Sequence, residues 1–148
     1  MINLKKIGLS VFCIIFDKTH NKYLILKRNG VKQEKYGFTW GFPGGHIEDG
    51  ETSTQALVRE INEETEIVLK ENKLRQIFVA ETPNDYDDYH SIYFFYYTFM
   101  DKKKNVIINS ESLEFKWINI DENIEEMFPL NKKIVNMLRK IINAEIHT

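Results

Sequence analysis

Short apolar runs separated by polar segments in the first part of the chain are typical of β-strands joined by turns. Apolar or β-branched runs at 7–16 and 23–27 flank a polar segment at 17–21, and this pattern predicts a hairpin. A polar loop is expected at 29–37, followed by a short strand at 39–42. This part of the chain is therefore predicted to form sheet.

More strands are predicted further along. Runs at 74–80 and 91–100 are joined by an acidic loop at 81–90. The second run carries aromatic residues at successive positions, which would cover both faces of a strand at the buried centre of a sheet. A short strand is expected at 115–118 and a helical turn at 121–127.

Two segments have helical periodicity. The first is predicted as a helix at about 53–66, with Thr52, Ser53 or Thr54 as its N-cap. Its packed face would hold Leu57, Val58, Ile61, Thr65 and Val68. A C-terminal helix at about 130–143, beginning near Pro129 or Leu130, would bury Leu130, Ile134, Leu138, Ile141 and Ile142. Mixed strands with two packed helices predict an α/β sandwich.

Carboxylates crowd one stripe of the first helix. Glu60, Glu63 and Glu64 lie three or four positions apart, and each pair of like charges at this spacing costs roughly 0.2–0.5 kcal/mol. The repulsion could be offset by Arg59, by a lysine from elsewhere or by divalent cations. Hard cations such as Mg²⁺ prefer carboxylate oxygens, so a metal is the favoured explanation.

The alternative is a solvated acidic helix face. The segment before the helix argues against it, because 42–45 forms a glycine-rich turn and Gly50 supplies another. The apolar positions also lie on a different side from the glutamates. The helix can therefore pack on a sheet while its acidic face looks into a cleft.

Composition limits the class of protein. The chain has 148 residues, of which 43% are hydrophobic and 28% charged, so a single domain spanning 1–148 is expected. The net charge of −2 and the pI near 6.1 provide no basic surplus for binding a nucleic acid polymer. A small anionic ligand held through metal fits this balance better.

The single cysteine, Cys13, excludes an internal disulfide and lies in an apolar run, where a buried thiol is expected. A reducing cytoplasm is the expected location. The apolar run at 7–16 is followed directly by Asp17 and Lys18 and is too short to cross a bilayer, so no membrane association is expected.

The stretch from Gly45 to Ile67 resembles the Nudix box. The box consists of glycine, five residues, glutamate, seven residues, arginine-glutamate, an aliphatic residue, any residue, two glutamates, any residue, glycine and an aliphatic residue. The matching positions are Gly45, Glu51, Arg59, Glu60, Ile61, Glu63, Glu64 and Ile67. The resemblance implies a Nudix-type α/β/α sandwich with a mixed sheet over essentially the whole chain.

Glu66 is the one departure, because it stands where the box has glycine. A glycine would suit a left-handed residue that ends the helix. A glutamate either adopts that conformation at a cost of about 1 kcal/mol or lets the helix continue. Glu66 lies off the acidic stripe, so we expect a structural variation that leaves the chemistry intact.

The resemblance also implies an activity. Nudix enzymes use Mg²⁺ or Mn²⁺ to hydrolyse a pyrophosphate bond in a nucleoside diphosphate linked to another moiety. By resemblance, the metal ligands would be Glu60, Glu63, Glu64 and the carbonyl of Gly45. Glu60, Glu63 or a metal-bound hydroxide would activate the water.

Other roles follow from the same resemblance. Arg59 is expected to pair with Glu51 and so hold the loop against the helix. Family members often recruit another carboxylate from a later loop, for which Glu111 and Glu114 are the candidates. For each of these two residues, an ordinary surface position is the favoured interpretation.

Weaker signals concern the substrate, which is expected to be a small nucleotide. Arg28 matches a phosphate-binding arginine of MutT-like members, and Asn131 matches, with a one-residue shift, an asparagine that binds a purine base. Asn131 could instead be a helix-capping or first-turn residue. One aromatic residue of 91–100 could stack on the base, and His46 or His90 could touch phosphate.

Several alternatives remain open. A nucleoside triphosphate, such as an oxidised or non-canonical purine, is the favoured substrate, and the products would be the monophosphate and pyrophosphate. ADP-ribose or a nucleotide sugar comes next, followed by a capped or dinucleoside substrate. A Nudix module that senses a nucleotide without cutting it is the alternative of another class. Exposed strand edges and the aromatic content are compatible with a homodimer.

Overall fold

Strand β1 (Lys6–Asp17) organises the fold, because its alternate side chains enter two different cores. The computed structural model describes residues 6–29, 39–84, 89–100 and 104–146. The other strands are β2 (Lys22–Arg28), β3 (Trp40–Gly41), β4 (Gly44–His46), β5 (Arg75–Thr82), β6 (Tyr89–Met100) and β7 (Ser112–Asn119). The helices are α1 (Ser53–Thr65) and α2 (Pro129–Ile146), with a 3₁₀ turn at Glu71–Lys73.

Within the described ranges the seven strands form one mixed sheet, with a main path in the order β3-β2-β1-β6-β5. Strands β1 and β6 are parallel over their whole length, and the other pairings are antiparallel. Strand β4 pairs with β1, and β7 pairs with β2. The aromatic strand β6 lies between β1 and β5, as its composition predicts.

Each helix covers one face of this sheet. Val11, Cys13 and Ile15 of β1 share a core with α1, whereas Ile14 and Phe16 share a core with α2. Full burial of one such side chain stabilises the fold by about 1.5–3 kcal/mol. The predicted α/β/α sandwich is therefore confirmed. Neither helix within the described ranges is long and apolar enough to span a bilayer.

The buried cysteine also fits the prediction. Cys13 has no exposed surface and belongs to the core beneath α1. Burial raises the pKa of its thiol well above the ordinary range, so the thiol stays protonated and acts as a small apolar side chain.

Some predicted boundaries are wrong. The helical turn expected at 121–127 is replaced by separate turns and a bridge that pairs Met127 with Trp40. Val68 lies beyond the end of α1 and is 65% exposed, so it does not join the packed face. Strand β4 was not predicted, because a sequence with two adjacent glycines reads as a turn. The predicted polar loop at 29–37 falls outside the described residues from position 30 onward, as do residues 85–88 of the acidic loop.

Candidate active site

The first turn of α1 is fixed on both sides by side chains. Thr52 is the N-cap: its hydroxyl accepts a hydrogen bond from the Gln55 N–H at 3.2 Å, and the Gln55 side chain accepts from the Thr52 N–H at 3.0 Å. Such a capping box satisfies backbone donors that have no partner within the helix. The Ser53 hydroxyl lies 2.6 Å from that of Tyr96, which ties the same turn to β6.

The helix ends at the residue that departs from the box. Glu66 is left-handed, with φ of 60° and ψ of 16°, and its N–H donates to the Asn62 carbonyl at 2.9 Å. The chain thus makes the turn that glycine would make, at a cost of about 1 kcal/mol. Glu66 is exposed and lies off the acidic stripe, so it is a structural variation of the helix end.

Arg59 joins the loop to the acidic stripe. Its Nε and Nη2 donate to both carboxylate oxygens of Glu51 at 2.8 and 2.9 Å, so the predicted pair is present in bidentate form. Its Nη1 donates to Glu60 at 2.9 Å and to Glu63 at 3.3 Å, and its Nη2 also donates to the His46 carbonyl at 3.0 Å. The hydrogen bond from Arg59 is the main cause that lowers the pKa of Glu51.

Gly45 makes room for the Glu60 carboxylate. A Cβ added at Gly45 would lie 2.5 Å from the carboxyl carbon and one oxygen of Glu60, which is far inside van der Waals contact. Gly45 does not have a positive φ, so space rather than backbone conformation requires glycine here. The loop and the acidic stripe therefore meet at this point.

Glu64 is the most buried of the three glutamates, with 4% of its surface exposed. One of its oxygens accepts a hydrogen bond from the Gly44 N–H at 3.1 Å. Burial raises the pKa of Glu64 to about 8, although the positive charge of Arg28 opposes this shift. Burial also raises the pKa of Glu60. Two partly desolvated carboxylates therefore lie side by side.

This donor set fits a hard divalent cation. The carboxylates of Glu60 and Glu64 and the carbonyl of Gly45 are oxygen donors of the kind that Mg²⁺ and Mn²⁺ accept, and a cation would offset their buried charge. Within the described ranges, no group of three or more acidic, histidine or cysteine side chains is gathered closely enough to hold a metal ion as it stands. The Arg59 guanidinium is paired with two of the glutamates, with Glu60 at 2.9 Å and with Glu63 at 3.3 Å.

A cavity of about 580 Å³ is lined by residues of β1, β2, β4 and β6 and of the first turn of α2. Arg28, His46 and Asn131 contribute polar groups to its wall, and Phe12, Tyr93 and Phe128 contribute aromatic rings. Arg28 links the cavity to the acidic stripe. It lines the cavity, and its positive charge opposes the rise in the pKa of Glu64. Its guanidinium carbon lies 5.6 Å from the centre of the Phe12 ring.

Asn131 lies in the first turn of α2 and is 9% exposed. It is not the residue before the helix, so it is not the N-cap, and it faces the cavity across Gly41. A Cβ added at Gly41 would lie 3.6 Å from the amide nitrogen of Asn131. The structure thus brings Arg28 and Asn131, which are remote in sequence, to one cavity.

The two candidate carboxylates from the later loop lie in different environments. Glu111 is near the acidic stripe, since its charge is among the causes, after burial, that raise the pKa of Glu60 and Glu64. Glu114 lies on β7 opposite Lys27, with 3.5 Å between its carboxylate and the lysine Nζ. The pair explains Glu114 as a surface residue of the sheet.

Sequence reasoning missed part of the cavity wall. Ser10 and Phe12 of β1 line it together with Tyr93 of β6, because the parallel register sets Ser10 beside Tyr93. The Ser10 hydroxyl lies 3.2 Å from Nδ1 of His46. Alternation along β1 gives the face of these residues, but only the pairing with β6 brings them together. His90 pairs instead with Glu81.

Known proteins resemble the chain in sequence. The sequence model of the NUDIX domain family matches residues 6–140 of the chain. An 8-oxo-dGTP diphosphatase of Proteus vulgaris is 38% identical over 84 residues, covering 57% of this chain and 71% of that protein. An 8-oxo-dGTP diphosphatase of Buchnera aphidicola subsp. Schizaphis graminum is 31% identical over 126 residues, covering 80% of this chain and 91% of that protein.

Solved structures share the fold. The MutT protein from Methanosarcina mazei Go1 has a TM-score of 0.73 at 18% identity, covering 94% of this chain and 98% of that one. A bifunctional NMN adenylyltransferase/ADP ribose pyrophosphatase from Francisella tularensis, in complex with AMP and a Mn ion, has a TM-score of 0.69 at 24% identity. The matched region covers 94% of this chain and 43% of that one.

Proposed function

The chain belongs to the NUDIX domain family, and on that premise we propose that it hydrolyses a nucleoside triphosphate to the monophosphate and pyrophosphate with Mg²⁺ or Mn²⁺. One observation carries the proposal: Arg28 lines a cavity large enough for a nucleotide and lies close enough to the acidic stripe for its positive charge to oppose the rise in the pKa of Glu64. A substrate in the cavity could therefore extend its phosphates towards the carboxylates.

Each residue of the proposed cation site has a proposed role. Glu60, Glu63, Glu64 and the Gly45 carbonyl would hold the cation. When bound, the cation offsets the negative charge of the pyrophosphate, which would otherwise repel an attacking water. Either Glu60 or Glu63 accepts a proton from that water. Arg59 and Glu51 hold the loop against the helix so that these groups keep their spacing.

Glu111 is proposed as the additional carboxylate of the centre. Its charge acts on both Glu60 and Glu64, whereas Glu114 is engaged by Lys27. We therefore prefer Glu111 of the two candidates and propose no catalytic role for Glu114.

The cavity suggests the part of the substrate that each residue binds. Arg28 would bind a phosphate, because its guanidinium can donate two hydrogen bonds to one phosphate group. The Asn131 amide would hydrogen-bond a purine base, and Phe12 or Tyr93 would contact the face of that base. Since two relatives bear the name 8-oxo-dGTP diphosphatase, an oxidised purine triphosphate is the first candidate substrate.

A second candidate substrate is ADP-ribose or a nucleotide sugar. The likeness to the ADP ribose pyrophosphatase of Francisella tularensis favours it, but at 24% identity this likeness concerns the fold. The same cation site would serve either substrate, because both contain a pyrophosphate. A module that senses a nucleotide without cutting it is less favoured, since Glu60, Glu63, Glu64, Arg59 and Glu51 are all retained.

The deciding experiment measures hydrolysis of a nucleotide panel with Mg²⁺ and with EDTA. The panel contains normal and oxidised purine triphosphates, pyrimidine triphosphates, ADP-ribose, nucleotide sugars and dinucleoside polyphosphates. We expect metal-dependent release of pyrophosphate with the highest kcat/KM for a purine triphosphate. Turnover on no member of the panel would favour the sensor.

Variants of the acidic stripe connect that turnover to the site. Glu64→Gln keeps the shape of a buried side chain and removes a carboxylate that a cation could bind, and Glu63→Gln does the same at the exposed position. Glu114→Gln is the matched control, because Glu114 pairs with Lys27 on the sheet. Wild-type Mg²⁺-dependent turnover in Glu63→Gln and Glu64→Gln would show that the metal assignment is wrong.

Location and assembly complete the proposal. A reducing cytoplasm suits the buried thiol of Cys13. A homodimer is compatible with the exposed apolar side chains of β7, where Leu113 is 49% and Phe115 is 40% exposed. Sedimentation of the purified protein tests the assembly, and a single species with the mass of one chain would exclude the dimer.

A further inference from the structure

One loop touches both halves of the proposed site. The segment 107–112, which precedes β7 in the chain, hydrogen-bonds both to the C-terminal end of α1 and to the residue after β2. The Ile107 N–H donates to the Thr65 carbonyl at 3.0 Å, which is the helix side. The Asn29 N–H donates to the Glu111 carbonyl at 2.9 Å, and the Asn29 side chain donates to the Ser110 carbonyl at 3.2 Å, which is the strand side.

Asn109 is the centre of this loop because it uses both atoms of its amide. Its Nδ2 donates to the carbonyl of Glu63 at 3.1 Å, and its Oδ1 accepts from the N–H of Glu111 at 3.0 Å. The Asn109 carbonyl also accepts from the Ser112 N–H at 3.3 Å. One side chain thus connects the backbone of the acidic helix to the backbone of the candidate carboxylate.

We propose that Asn109 is a positioning residue that holds Glu111 in register with Glu60 and Glu64. The inference rests on the proposed function, since it concerns the carboxylates of that site. An unrestrained exposed loop would leave Glu111 free to sample positions away from the helix. Fixing its backbone to the carbonyl of Glu63 restricts it to the neighbourhood in which its charge acts on both helix carboxylates.

The position of the Asn109 contacts supports a role beyond loop stability. The carbonyl it binds belongs to Glu63, between two other members of the stripe, and the amide it binds belongs to Glu111 itself. Residues that orient metal-binding groups typically change metal affinity about 10–100-fold when they are removed. Asn109 holds the main-chain N–H of Glu111, one step further back than the carboxylate itself, so we expect an effect at the lower end of this range.

The first test measures Mn²⁺ binding to the substrate-free protein by electron paramagnetic resonance. We expect Asn109→Ala to weaken binding about tenfold. Asn105→Ala is the matched control, because Asn105 is an exposed asparagine of the same connection, and it should bind Mn²⁺ as the wild type does. Unchanged binding in folded Asn109→Ala would overturn the proposal.

A double-mutant cycle tests whether Asn109 acts through Glu111. We expect Glu111→Gln to weaken Mn²⁺ binding and to remove most of the effect of Asn109→Ala, since residues that act through one another are not additive. Equal losses from Asn109→Ala in both backgrounds would overturn the proposal, as would a Glu111→Gln protein with wild-type affinity.

A second variant covers the case in which Asn109→Ala does not fold. Asn109→Ser stays neutral, and its shorter side chain removes the donor to the Glu63 carbonyl without adding a charge beside the cation site. It should bind Mn²⁺ more weakly than the wild type, and this loss should disappear in the Glu111→Gln background. A loss that persists there, or wild-type affinity in folded Asn109→Ser, would overturn the proposal. None of these binding measurements requires the substrate to be known, so a failure of the nucleotide panel is distinguishable from a failure of this inference.

Discussion

Replacing Gly45 with alanine should reduce activity about 100-fold and leave the fold nearly intact. The added Cβ would lie 2.5 Å from the Glu60 carboxyl group, whereas ordinary contacts of a Cβ begin at 3.4 Å. The carboxylate must therefore move by roughly 1 Å, and a displacement of that size can cost about 100-fold in rate. We expect a loss of this order in kcat/KM.

The cost in stability should be small, because the group that must move is the end of a flexible side chain. The main loss is the hydrogen bond that Arg59 donates to Glu60 at 2.9 Å, which is worth about 1 kcal/mol. Steady-state hydrolysis of the best substrate of the panel measures the first effect. Urea denaturation followed by circular dichroism measures the second.

Gly50→Ala provides the opposite case. Gly50 has a φ of 83°, and a Cβ added there would meet no atom within 4 Å. Alanine in that conformation should cost about 1 kcal/mol of stability while most of the activity remains. The reasoning is refuted if Gly45→Ala retains wild-type kcat/KM, or if its loss of activity only follows its loss of folded protein.

The remaining predictions concern charge, capping and the cavity. Burial raises the pKa of Glu64 from 4.5 to about 8, so the folded metal-free protein binds more protons than the unfolded chain between those values and loses stability as pH rises through them. Glu64→Gln should remove this slope in urea melts and exceed the metal-free wild type in stability at pH 8; a wild type whose stability is flat over this range would contradict the burial argument. Thr52→Ala should cost about 1 kcal/mol through loss of the capping box, and a melting temperature equal to wild type would exclude that role. Arg28→Ala should raise KM for a triphosphate about tenfold by removing a charged hydrogen bond to phosphate, and an unchanged KM would exclude it from the phosphate subsite.

Much of the fold could be predicted because local patterns determine it. The continuous apolar run of β1 follows from burial on both faces, and the helical spacing in α2 follows from burial of one face, so the limits of both elements lie close to those observed. The Arg59–Glu51 pair could be predicted from the resemblance. Val68 was placed wrongly because the position at which a helix stops depends on Glu66 adopting a left-handed conformation, which its side chain does not favour.

The parts of the site that could not be predicted depend on strand pairing. Glu111 and Glu114 look alike in sequence, but the register of β7 against β2 sets Glu114 opposite Lys27 and leaves Glu111 in the loop before β7, where Asn29 binds its carbonyl. The link from Asn109 to Glu63 has no local signal, because its partners lie far apart along the chain.

The parallel pairing of β1 with β6 has a consequence for the order in which the protein folds. Each of its pairs, from Lys6 with Tyr89 to Asp17 with Met100, joins positions about 80 residues apart, and such distant contacts slow folding. During synthesis, α1 leaves the ribosome well before β6, yet its core includes Tyr96 and Met100. The helix that carries the carboxylates therefore cannot complete its packing until β6 has been synthesised. A chain truncated before β6 should not assemble the site.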